Sequence, residues 1–113
     1  HEAYGYNYEG SWNVLKENLS DRIHLMEDSV VRVSNWVFIG STFWTDFRNE
    51  NPLEMMEASQ CMNDYNVIRI TPKYRKMNPD DTLGFHKKSK QFLLSICSSQ
   101  IQELWYCQWC FRE

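Results

Sequence analysis

No apolar run in this chain comes near the roughly 20 residues that a bilayer-spanning helix needs, so no membrane partner is expected. No charged stretch followed by an apolar segment opens the sequence, and without one a reducing, cytoplasmic setting is the expectation for its four cysteines. Positive charge is also scarce. The net charge is -3, and the basic residues cluster only at Lys73, Arg75, Lys76 and again at Lys87, Lys88, Lys90. That is no footprint for a nucleic acid, and both clusters read as solvated faces. Repeats and low-complexity segments are absent. Histidine is confined to His1, His24 and His86.

What is present is a core-forming composition. Hydrophobic residues make up 42% of the 113 positions and aromatic residues 15%, enough for one folded domain over residues 1–113 and too little chain for two. Tyr8, Trp12, Leu15 and Leu19 recur at helical spacing, which predicts a helix ending near Ser20. Ile23 to Met26, closed by Glu27 and Asp28, and Ser29 to Val33 read as short strands. The unbroken run Trp36, Val37, Phe38, Ile39 reads as a strand buried on both faces. Only Ser34 and Asn35 separate it from Ser29–Val33, which predicts an antiparallel hairpin.

Two capped helices follow. Asn51 and Pro52 open one, with Met55, Ala58, Met62 and Tyr65 as its inner stripe; Asn66 to Ile70 reads as a brief extended piece. Asn78, Pro79, Asp80 and Asp81 open the other, which runs through His86 to Ile96 with the lysines of its middle exposed.

Three separated segments carry a resemblance. They are Gly40-Ser-Thr-Phe-Trp-Thr-Asp-Phe47, Met62-Asn-Asp-Tyr65 and Asn78-Pro-Asp-Asp-Thr-Leu-Gly-Phe-His86, in that order along the chain. Together they resemble the middle of a bacterial or phage calcineurin-like metallophosphoesterase, and His1-Glu2 resembles the end of that family's G-N-H-E motif. The resemblance covers about His1 to Leu94. It implies an α/β class, specifically a partial α/β sandwich of the metallophosphoesterase type made of a short β-hairpin and three helices. It also implies hydrolysis of phosphate esters at a dinuclear centre of divalent metal ions (Mn, Fe, Zn or Mg), in which paired cations polarise the phosphoryl oxygens and generate a hydroxide.

The same resemblance makes His1 a catalytic residue that assists phosphate and leaving group without being a main metal ligand. The family's D-x-H, G-D and later His motifs have no counterpart here, so the sequence reads as a central fragment with too few ligands for two metals, and no metal ligand can be named. Asp46, just beyond the apolar strand, is the other candidate catalytic residue. The competing reading makes Asp46 and Thr45 turn caps, with Trp44 and Phe47 plugging the core. His24 reads as a partly exposed strand residue, His86 as a helical surface histidine, and Asn63-Asp64 as a helix end.

From residue 95 to 113 the composition diverges, becoming aromatic and cysteine-rich. Cys107 and Cys110 form a C-x-x-C pair, with Cys97 the only nearby third thiol, which is short of a zinc set. Trp105, Tyr106, Trp109 and Phe111 would form an apolar patch if uncovered. The alternative to a hydrolase is therefore a non-catalytic binding protein that self-associates through this tail.

Overall fold

The hairpin is where the sequence pattern and the observed strands agree. In the computed structural model, which describes residues 3–99, β1 (Ser29–Val33) pairs antiparallel with β2 (Trp36–Gly40) in the register Val33↔Trp36 and Val31↔Phe38. Ser34, at φ +54, makes the left-handed step that a two-residue turn demands. Gly40 ends β2 under a close approach: a methyl there would collide with Met26 Cβ.

Around this ribbon run α1 (Tyr8–Asn18), a single turn α2 (Phe47–Glu50), α3 (Pro52–Cys61), a short α4 (Asp64–Val67), the two-residue strands β3 (Arg69–Ile70) and β4 (Arg75–Lys76), and the long α5 (Pro79–Ser99). The described residues thus form a mixed α and β fold with two separate two-stranded antiparallel sheets. The core gathers Tyr8 from α1, Phe47, Tyr65, Ile68, Met77 and Leu83. Among the described residues no helix is long and apolar enough to cross a membrane.

Several expectations are corrected. Trp36–Ile39 is not buried on both faces: Trp36 is 63% exposed and Phe38 43%, because among the described residues no layer covers the side that these two share. Ile23–Met26 forms no strand; the Ile23 N–H closes a turn onto Ser20 O instead, and among the described residues no strand pairs with the segment. The Met55–Tyr65 stripe is interrupted. Met62 leaves helical geometry as the α3 C-cap, so Tyr65 reaches the core from α4. Asn66 and Val67 belong to that turn, Ile68 is extended as its C-cap, and Arg69 and Ile70 form the strand, paired with one that the sequence pattern did not indicate.

The start of α5 is held by reciprocal bonds. Asp81 N–H donates to Asn78 Oδ1 (3.1 Å) and Asn78 N–H donates to Asp81 Oδ2 (2.9 Å), the two-way cap that satisfies amides the helix itself leaves free. Arg75 donates to both Asp81 oxygens at 2.6 Å. Partial burial pushes the Asp81 carboxyl up, but the Arg75 guanidinium and the Asn78 amide outweigh it and hold the group below its ordinary 3.8.

A depressed folded-state value means stability that is present above the ordinary carboxylate value and lost as pH falls through the lower folded value. Arg75→Ala should therefore lower the urea midpoint at neutral pH, and the gap from wild type should shrink in strongly acidic buffer. A gap that stays constant across that range would rule out the Asp81 linkage.

Candidate functional site

The loop from Ser41 to Asp46 leaves β2 and is clamped from three sides. Ser41 Oγ donates to Asp28 Oδ1 (2.9 Å), and the Thr42 N–H (3.2 Å) and hydroxyl both donate to Glu27 Oε2. Trp44 Nε1 donates to the Tyr8 hydroxyl (3.3 Å), and the Trp44 carbonyl bonds His86 Nδ1. A carbonyl only accepts, so His86 Nδ1 is the donor of this bond. Phe43 packs against the same imidazole at a 51° tilt, with ring centroids 4.7 Å apart.

Asp28 ties the loop to α5. Its Oδ1 also accepts from Ser89 Oγ (2.9 Å), a buried hydroxyl, while Lys88 Nζ stands 3.7 Å from Oδ2. Tyr8 completes the frame by stacking on Phe85 at 4.6 Å. Burial raises the Tyr8 phenol above its ordinary 10.0, opposed by the Trp44 bond and reinforced by the Glu27 charge. A cavity of about 300 Å³ opens beside these groups, walled by Trp12, Phe85, Glu27, Asp28 and Lys88.

Beyond Trp44 the backbone does something uncommon. Phe47, Arg48, Asn49 and Glu50 all have positive φ, between 50° and 63°, so α2 is a left-handed turn. Left-handed geometry costs roughly 1–2 kcal/mol for each residue that carries a Cβ. The turn is held by the Phe47 ring, 4% exposed in the core, and by ion pairs from Arg48 to Glu54 (3.1 Å) and from Lys87 to Glu50 (2.8 Å).

The residues named from sequence separate clearly. Asp46 is exposed, and its carboxylate accepts the Arg48 N–H at 3.1 Å; Thr45 Oγ1 accepts the Phe47 N–H at 3.0 Å. These are the turn-capping roles, with Phe47 as the plug. His86 is not on the surface: it is 9% exposed and faces the loop, because it shares one face of α5 with Thr82 and Ser89. His24 is exposed in coil, and Asn63-Asp64 opens α4. His1, Cys107, Cys110 and the aromatic tail lie outside the described residues, while residues 95–99 continue α5.

Glu27 and Asp28, read from sequence only as the end of a strand, turn out to be the acceptors that anchor the loop. Their one sequence signal is a pair of adjacent carboxylates just before a β-rich run. Among the described residues no three His, Cys, Asp or Glu side chains converge as a metal group would require. Asp46 and His86 are bonded elsewhere, so these residues do not fit a dinuclear centre and no step is derived through one.

The class defined here is a small mixed α and β domain with an aromatic loop pinned between a hairpin and a long helix. Comparison with protein-family models, with curated proteins and with solved structures finds no match.

Proposed function

We propose that this chain belongs to the calcineurin-like metallophosphoesterase type of hydrolase, acting on phosphate esters, and that residues 3–99 brace the site without supplying its metal ligands. The observation that carries this reading is the interlocking of the three resembling segments. The Gly40–Phe47 run meets the Asn78–His86 run through the Trp44 carbonyl and the His86 ring. The Met62–Tyr65 run meets it through the Tyr65 hydroxyl and Thr82 Oγ1, 3.0 Å apart. Segments far apart in sequence but bonded to one another behave as one unit, as parts of a single site must.

In this reading the work of the described residues is positional. The Trp44–His86 and Asp28–Ser41 bonds fix the loop, and Tyr8, Trp12 and Phe85 supply the aromatic part of the wall beside it. Metal ligands and His1 belong to residues outside them.

The purified chain supplied with Mn²⁺ is expected to hydrolyse p-nitrophenyl phosphate no faster than the metal alone. Strong metal-dependent turnover that disappears in His1→Ala would overturn the bracing role. The family assignment has its own test in the DNA directly upstream of His1: in-frame D-x-H, G-D and G-N codons are expected, and their absence would defeat it. A second reading, a non-catalytic self-associating protein, is favoured by the uncovered apolar face of the hairpin.

A further inference from the structure

The hairpin presents a face that water should not meet. Paired residues of an antiparallel ribbon share a side, so Ser29, Gly40, Val31, Phe38, Val33 and Trp36 form one face. Val33 is 49% exposed, and Trp36 and Phe38 are open as well. The face carries no charge; Arg32, the charged residue of the two strands, is on the other side. Next to it lies a trough of about 390 Å³ between the end of α1 and β1, lined by Leu19, Ile23, Leu25 and Val31 and also by Lys16, Asp21 and His24. Ile23 is 56% exposed on its lip.

We propose that this surface is the contact between two copies of the chain, Trp36 of each copy seating in the Leu19–Ile23–Leu25 trough of the other. A protruding aromatic beside a trough with an apolar floor and a polar edge is complementary to itself under a two-fold rotation, in which every contact occurs twice. The hairpin face brings no charge to its partner, and the trough it meets carries one residue of each sign, Lys16 and Asp21.

The area is of the right size. Side chains that bury roughly 60–250 Å² each, taken over the open face and the trough, give on the order of 500 Å² of apolar surface per copy. A standard interface takes about 800 Å² from each partner, and about 65% of that is apolar in homodimers. An isolated two-stranded ribbon is marginal in water, and a partner supplies the layer it lacks. This contact is independent of the phosphoesterase reading and uses none of the tail residues.

Sedimentation velocity of the full chain tests it. Wild type should run at twice the 13.6 kDa chain mass. Trp36→Glu and Ile23→Lys, both at exposed positions, should each weaken self-association by roughly 30-fold or more, the size of effect expected for a central Trp anchor, and each should keep the wild-type circular dichroism spectrum. An equimolar mixture of the two variants should recover the dimer, since one of its two junctions is then wild type and the other pairs Glu with Lys. Arg32→Glu, on the opposite face, should leave the dimer intact. A monomeric wild type, a Trp36→Glu dimer of unchanged affinity, or loss of the dimer in Trp105→Glu/Trp109→Glu would each overturn the proposal.

Discussion

Phe47→Ala is expected to lower unfolding free energy by about 3 kcal/mol, a large share of the roughly 5–15 kcal/mol that holds a domain of ordinary stability. Truncating a buried Phe costs about 3–5 kcal/mol through lost transfer energy and the cavity left behind. Phe47 is 4% exposed and belongs to the cluster with Tyr8, Tyr65 and Met77. Part of the loss is returned, because without its plug the left-handed turn can relax. That relaxation gives a second signal.

Arg48, exposed in the turn, should become a preferred trypsin site in the variant and resist cleavage in wild type. At about 4–8 °C per kcal/mol for a domain of this size, the melting temperature should fall by more than about 10 °C. Asp46→Ala, which removes one exposed turn cap, should cost only about 1 kcal/mol. If Asp46→Ala proves the more damaging of the two, the capping assignment of Asp46 is wrong.

The second large effect is at Asp28. Its Oδ1 accepts from Ser41 and Ser89, each at 2.9 Å, and Ser89 is only 2% exposed. Hydrogen bonds to a charged acceptor are worth about 1.5–3 kcal/mol, and a buried donor left unpaired carries a penalty of about 1–3 kcal/mol. Asp28 also sits at φ +43, a conformation that Asp and Asn accept more readily than Ala. Asp28→Ala should therefore cost about 3 kcal/mol, while Asp28→Asn, which keeps an acceptor and the backbone preference, should cost about 1 kcal/mol.

The double variant Asp28→Ala/Ser89→Ala supplies the control. Removing the orphaned hydroxyl should recover about 1 kcal/mol relative to Asp28→Ala alone, a coupling of the size seen for residues in contact. Urea midpoints for wild type, both singles and the double measure it. Strict additivity would mean that Ser89 and Asp28 do not interact.

Local chemistry made part of this legible. The Ser34-Asn35 turn, the Asn51-Pro52 opening and the Asn78–Asp81 cap each solve a problem within four residues, so composition alone placed β1, β2, α3 and α5. His86 shows where that stops. Its helical position was plain, but whether its face meets water or the Trp44 carbonyl depends on a loop 42 residues away. The tertiary pairing also decided that Asp46 caps and Glu27 and Asp28 anchor, since a carboxylate takes its role from the donors that arrive beside it.

The sequence by itself determined the secondary elements whose signals are short-range: helix caps, the two-residue turn, and the apolar spacing of α1. Only the tertiary structure decided which apolar face is covered. The run Trp36–Ile39 has the composition of a buried strand, yet burial is a property of what packs against a strand, and among the described residues that layer is missing from the Val33–Trp36 face. Hydrophobicity fixes how strongly a surface avoids water, and the arrangement of the rest of the chain fixes whether it succeeds.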